Sequence, residues 1–207
     1  ERIYLQVPYV EKDTAKSLGA RWDPQKKQWY VPGNYDVQKV EKWLPASIVI
    51  RRAKEGKTLT IELVPSSCWF SNVRSHVSQS EWRKVQQYTF RKAGYKCEIC
   101  GGQGEKHPVE CHEIWDYDDS KCLQILRGTI SLCPKCHMVK HLGFATLNGR
   151  GKQAEQWLAQ INRWSKEQAT AYVKAAFETW DARSQVTWTL DLDWLNKTFD
   201  FDVKAQR

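Results

Sequence analysis

Cys97-Glu98-Ile99-Cys100 and Cys133-Pro134-Lys135-Cys136-His137-Met138-Val139-Lys140-His141 are the stretches on which the reading of this chain turns; 32 residues separate the two C-x2-C pairs. A C-x2-C knuckle bends sharply enough to aim two thiolates at one point. Two knuckles together make the closed tetrahedral site of a structural Zn2+, with Cys97, Cys100, Cys133 and Cys136 as ligands. A dithiol redox site would need only one knuckle. His137 and His141 follow at i, i+4 spacing, which places both imidazoles on one helix face. His112 lies between the knuckles in Val109-Glu110-Cys111-His112-Glu113-Ile114, which reads as a strand. One strand and one helix can then converge His112, His137 and His141 on a second divalent metal with open coordination positions. The alternative reading makes His137 and His141 surface residues or supplementary zinc ligands. Cys111, inside the strand, and Cys68 read as small buried hydrophobes, and Cys122 is left over.

Working outward, six of the seven cysteines and four of the five histidines fall within residues 97–141. No apolar run approaches the roughly 20 residues of a membrane span, and Glu1-Arg2-Ile3-Tyr4 lacks the apolar core of a signal peptide. The expectation is a cytoplasmic chain with no membrane contact, whose reduced thiols serve metal rather than disulfides. Hydrophobic content of 41% and charged content of 27% are ordinary globular usage and exclude wholesale disorder. The net charge is +8, from 32 Lys+Arg and 24 Asp+Glu. Residues 1–66 and 67–150 each hold 12 basic against 8 acidic residues, whereas 151–207 hold 8 of each, so a polyanion should meet the first two segments.

The organisation reads as α+β in four parts. Residues 1–46 form a small α+β accessory module: a strand at Ile3–Val7, a short helix Thr14–Leu18 capped by Asp13 and stopped by Gly19, two strands (20–22 and 28–31), and a helix over 36–43. Trp22 and Tyr30 can stack on bases or pack the core of so small a unit. Residues 47–77 read as a β-hairpin and linker, with arms at Ile48–Arg51 and Leu59–Leu63. Residues 78–150 hold the cysteine–histidine unit, opened by the capping box Ser78-Gln79-Ser80-Glu81 and a helix to about Lys92. Residues 151–207 form a C-terminal helical extension with a short strand near Trp188–Leu192.

The order Gly94-Tyr95-Lys96-Cys97-x2-Cys100, His112-Glu113-Ile114, Leu132-Cys133-x2-Cys136-His137-x3-His141 resembles a zinc-knuckled HNH endonuclease of the His-Me finger, or ββα-metal, class, over roughly residues 80–143. The resemblance implies a metal-dependent endonuclease that hydrolyses phosphodiester bonds, in DNA rather than RNA, in host defence or mobile-element biology. It carries the catalytic metal (Zn2+, Ni2+, Mn2+ or Mg2+) onto His112, His137 and His141, and the general base onto Glu113. A one-residue slip makes His112 the base, with Cys111 at the metal. The family's asparagine position falls on Gly128. Arg74, Arg83, Lys84, Arg127 and Lys140 are candidates for phosphate contacts. The competing reading is a catalytically inactive, zinc-dependent nucleic-acid-binding module, and a third makes the terminal segments a platform for a protein partner. Residues 2–45, with Val7-Pro8-Tyr9, Gly19-Ala20-Arg21-Trp22-Asp23 and Trp29-Tyr30-Val31-Pro32, resemble a small domain of unknown function found with plasmid primases and other DNA-processing proteins.

Overall fold

The computed structural model describes residues 2–45, 48, 58–69 and 72–203. It is a mixed α+β arrangement with two three-stranded sheets among the described residues. The first comprises β1 (Arg2–Leu5), β2 (Arg21–Asp23) and β3 (Gln28–Pro32), ordered β1-β3-β2 and antiparallel throughout. Its alternation turns Leu5 and Val31 inward to near-complete burial. The strand expected to reach Val7 stops at Leu5, because the Gln6 N–H donates instead to the Trp43 carbonyl at 2.7 Å.

Helix α1 (Lys12–Ser17) begins earlier than the sequence pattern suggests, so Asp13 lies inside its first turn and does not cap it. Gly19, at φ +87°, takes the left-handed conformation that ends this helix. The expected helix over 36–43 is a pair of 3-10 turns, Val37–Trp43, broken at Val40 and opened by the Asp36 side chain accepting from the Gln38 N–H.

The first arm and turn of the expected hairpin lie outside the described residues, apart from Ile48. Its second arm, Leu59–Leu63, is in no strand. Side chains far along the chain satisfy its backbone instead. Asn162 brackets Leu59, accepting from its N–H at 2.9 Å and donating to its carbonyl at 2.8 Å, and the Tyr172 hydroxyl accepts from the Ile61 N–H at 3.2 Å. The buried N–H groups of Leu59 and Ile61 are thus paired without a strand partner, as burial demands.

Helix α2 (Gln79–Lys92) starts at the expected capping box, with Ser78 and Glu81 bonded reciprocally. Two long antiparallel strands follow, β4 (Glu110–Asp118) and β5 (Leu123–Leu132), with a register shift between Ile114 and Trp115. Next come α3 (Pro134–Lys140), α4 (Leu142–Leu147), α5 (Gly151–Asn162) and α6 (Lys166–Ser184). The short strand expected near residue 190 is β6 (Thr189–Asp191), parallel to β5, and α7 (Asp193–Phe199) closes the chain. No helix among the described residues is long and apolar enough to cross a membrane.

Two cores flank the β4–β5 sheet. One gathers Val73, Trp82, Val85, Cys111, Leu126 and Leu195 around α2. The other runs from Leu5, Val31 and Trp43 through Leu59 and the knuckle cysteines to Leu158 and Trp164. The N-terminal sheet, the cysteine knuckles and the C-terminal helices thus share one apolar interior. Fully burying a leucine such as Leu59 or Leu158 there is worth about 1.5–3 kcal/mol.

Candidate metal centre

The four knuckle sulfurs lie within 4.8 Å of one another. Cys100 Sγ and Cys133 Sγ are 3.6 Å apart, close to the roughly 3.8 Å edge of a tetrahedron with Zn–S bonds of about 2.3 Å. Local backbone builds the site. Gly101, at φ +73°, allows the first knuckle to fold back, with its N–H on the Cys97 carbonyl at 2.8 Å. The Glu98 N–H donates to the Ser131 carbonyl at 2.9 Å, and the Ser131 N–H donates to Glu98 Oε2 at 2.8 Å. That pair pins the first knuckle to β5 just before the second. Cys133 is the N-cap of α3, so Cys136 stands on the first turn of the helix that carries His137.

Two further donors reach the sulfurs: the Trp157 indole N–H to Cys136 Sγ at 3.3 Å and the Gly102 N–H to Cys100 Sγ at 3.4 Å. The Cys97 thiol is held low by a hydrogen bond from Cys136, and that bond together with burial pushes the Cys136 thiol up. Four thiolates cannot coexist there uncompensated, and a dication such as Zn2+ supplies the missing charge. The four cysteines therefore suit a metal of this kind.

The other cysteines lie apart. Cys68 and Cys111 are buried, and the Cys111 thiol contacts Thr89 Oγ1 at 3.5 Å, with its pKa pushed up to about 11 by burial. Both fit the reading of small buried hydrophobes.

The three histidines converge as a second group, each offering a ring nitrogen within 4.8 Å of the others. The ring centroids are 4.6–5.2 Å apart. His112 comes from β4, His137 from α3, and His141 from the kink between α3 and α4. The Nε2 atoms of His137 and His141 face each other at 3.1 Å. Bonds of about 2.0–2.1 Å to a tetrahedral ion would space such nitrogens about 3.3 Å apart.

Each of two rings is oriented by a carboxylate on its other nitrogen. His112 Nε2–H donates to Glu62 Oε2 at 3.1 Å, and His137 Nδ1–H donates to Glu110 Oε2. This leaves His112 Nδ1 buried without a partner among the described residues. Such an orphaned nitrogen inside a ring of imidazoles fits a metal ligand. The rings of His137 and His141 also resist protonation. His137 is lowered by burial and by His112, and His141 is pushed down to about 3 by loss of water around its ring and by His112 and His137. Neutral imidazole is the form that ligates.

Sequence reasoning missed Glu62, Glu110 and Trp157. Glu110 carried a readable signal, since i, i+2 on a strand puts it on the face of His112. Glu62 carried none, lying 50 residues from its partner in the connection that precedes the metal unit.

Glu113 is not brought to the histidines. Its cross-strand partner is Thr129, whose hydroxyl reaches Thr89 of α2 at 2.5 Å. The pleat therefore sends Glu113 to the α2 face with Cys111, opposite His112. Gly128, at the family's asparagine position, backs onto the Trp194 indole.

Among the expected phosphate contacts, Lys140 is corrected. It is only 5% exposed and donates to Glu62 Oε1 at 2.5 Å and Thr60 Oγ1 at 2.7 Å. Burial alone would raise the Glu62 carboxyl, but Lys140 and His112 hold it at about 2. Arg74 stands close enough to His137 to disfavour its protonation, with its guanidinium 5.0 Å over the Trp82 ring. Arg83 and Lys84 are exposed on α2, Lys84 with its ammonium 5.9 Å over the Phe201 ring, and Arg127 pairs with Asp116 at 3.1 Å.

Comparison with known proteins bears on the N-terminal part. Residues 2–45 match a family described as a domain of unknown function, DUF5710, in line with the resemblance noted for that stretch. The chain is similar to two Escherichia coli proteins named DNA primase TraC. One is 47% identical over 62 residues, which is 30% of this chain and 5% of that protein. The other is 60% identical over 43 residues, 21% of this chain and 3% of that protein. The chain thus spans about one-twentieth or less of these relatives. No solved structure matches.

Proposed function

We propose that residues 78–150 form a metal-dependent endonuclease acting on DNA, in the manner of the ββα-metal nucleases they resemble. The observation that carries this reading is the convergence of His112, His137 and His141, with His112 Nδ1 buried and unpartnered among the described residues. The order of β4, β5 and α3 supports it, since strand, strand and helix are what such a site requires. A divalent ion held by the three imidazoles would act as a Lewis acid on the scissile phosphate; Zn2+, Ni2+ or Mn2+ suits nitrogen ligands better than Mg2+.

The chain's own residues do the positioning. Glu110 fixes the tautomer of His137, and Glu62, kept ionised by Lys140, fixes that of His112. Arg74 offers positive charge beside His137 for a neighbouring phosphate. Glu113, turned to the opposite face, plays no part in proton transfer in this reading. The similarity to stretches of proteins named DNA primase favours DNA over RNA as partner.

The test is incubation of supercoiled plasmid with the full chain and each of Zn2+, Ni2+, Mn2+ and Mg2+ in turn. The expected result is nicking or cutting by the wild type, lost in His137→Ala and retained in Glu113→Gln. Inactivity of the wild type with every metal would overturn it.

A second reading, a zinc-dependent nucleic-acid-binding module without catalysis, is favoured by the placement of Glu113 and by Gly128 at the asparagine position. Metal content separates the two: the nuclease binds two metals per chain, one of them lost in His141→Ala, and the binding module only one.

A further inference from the structure

The N-terminal sheet has an inner and an outer face. Ile3, Leu5, Trp29 and Val31 turn inward to the shared core. Tyr4 and Tyr30 are direct cross-strand partners on the outer face, with Arg21 paired to Tyr30 from the edge strand β2. The two rings lie side by side with centroids 6.0 Å apart, and both are half-buried rather than covered.

Cations stand over both rings: Arg2 4.4 Å above Tyr30 and Lys26 4.4 Å above Tyr4. Arg21, opposite Tyr30, and Lys27, in the turn that joins β2 to β3, are both exposed, and Arg21 has no ion-pair partner among the described residues. The acidic side chain at this face, Asp23, is buried and already engaged. It accepts from Tyr4 Oη at 2.8 Å and Arg2 at 2.9 Å, and from the Gln25 and Lys26 N–H groups at 3.0 and 3.1 Å.

We propose that this face, built on Tyr4, Tyr30, Arg2, Arg21 and Lys26, is a binding platform for single-stranded nucleic acid. Stacking needs an exposed base face, which a single strand offers and a duplex buries. A long cation over an exposed ring is held weakly. Lys26 can therefore swing to a flanking phosphate while a base takes the Tyr4 ring, whereas Arg2, anchored by Asp23, keeps its guanidinium plane over Tyr30 as part of the stacking surface. The excess of cations over the engaged carboxylate of Asp23 complements a polyanion and disfavours a basic or apolar protein surface, and the paired tyrosine rings suit bases rather than acidic side chains. The platform does not rest on the nuclease reading, since it uses none of the metal-centre residues.

The test is fluorescence anisotropy of the full chain with labelled oligothymidylate, without added divalent metal, over a range of salt. The wild type should bind with an affinity that falls as salt rises. Tyr30→Leu should weaken binding about tenfold, and Tyr30→Phe, which keeps the ring, should bind as the wild type does. Arg21→Gln should weaken binding about threefold and make the salt dependence shallower by about one ion. Lys174→Gln, on α6, serves as the unaffected control. The proposal is overturned if the wild type does not bind at low salt, if Tyr30→Leu binds as the wild type does, or if Tyr30→Phe loses as much as Tyr30→Leu. Because Arg21 is exposed and unpaired, its substitution tests the face without threatening the fold.

Discussion

At the scale of single residues, His112 shows how an imidazole is committed to one task. One nitrogen is tied to Glu62 and the other is buried without a partner among the described residues, so rotating the ring would break the bond to Glu62 and leave that carboxylate oxygen without its donor. Removing the charge from an orienting carboxylate should loosen the ligand without removing it. Glu62→Gln and Glu110→Gln are each expected to weaken metal retention at the histidines about 10–100-fold. Competition with a chromophoric chelator measures this, with Glu113→Gln matching the wild type. Asp23 gives a pH prediction of the opposite kind, far from any metal. The Lys26 N–H, the Tyr4 hydroxyl, the Gln25 N–H and Arg2 lower its pKa in the folded chain. The unfolded chain, with a carboxyl near about 3.9, takes up the proton first. The stabilisation is therefore complete above the ordinary carboxylate range and is lost as pH falls through the folded value. Thermal melts across that range should show the loss in the wild type and a flatter profile in Asp23→Asn.

At the scale of elements, the knuckles and the capped helix were legible because their signals are local. C-x2-C spacing needs only its own turn, and Ser78 finds Glu81 within one turn of α2. The placement of Glu113 runs against the expectation that it serves as general base beside His112, although the pleat signals it: adjacent strand residues face opposite ways, so the two could not share a site unless β4 ended between them. It runs on to Asp118. The hairpin expected over 48–63 misread Leu59–Leu63, whose alternation is real but is answered by Asn162 and Tyr172, more than 100 residues away. No local pattern encodes such a partner. The loop between the first knuckle and β4 has its own constraint at Gly104, where an added Cβ would sit 2.3 Å from the His107 carbonyl oxygen and 2.7 Å from the Pro134 ring. Gly104→Ala should cost roughly 1–3 kcal/mol by overpacking, seen as a lower Tm and faster zinc release to a chelator.

At the scale of the whole molecule, the segments that composition divides are joined by buried polar links as well as by a common core. Gln168, near the start of α6, donates to the carbonyls of Glu41 and Leu44 at 2.9 and 2.7 Å, which ties the N-terminal module to the C-terminal helices. Gln168→Ala removes that donor from both carbonyls and should lower stability by about 1–3 kcal/mol, read as a shift of the urea midpoint common to probes in both parts. The segment bearing Glu62 depends in the same way on α5 and α6, through Asn162 and Tyr172. That dependence has a consequence for biosynthesis. The ribosome makes all three converging histidines before it makes the residues that seat Glu62 against His112. A nascent chain interrupted before Asn162 carries the three histidines but lacks the seat that aligns His112, so the cluster takes its final form only after the neutral C-terminal helices have emerged.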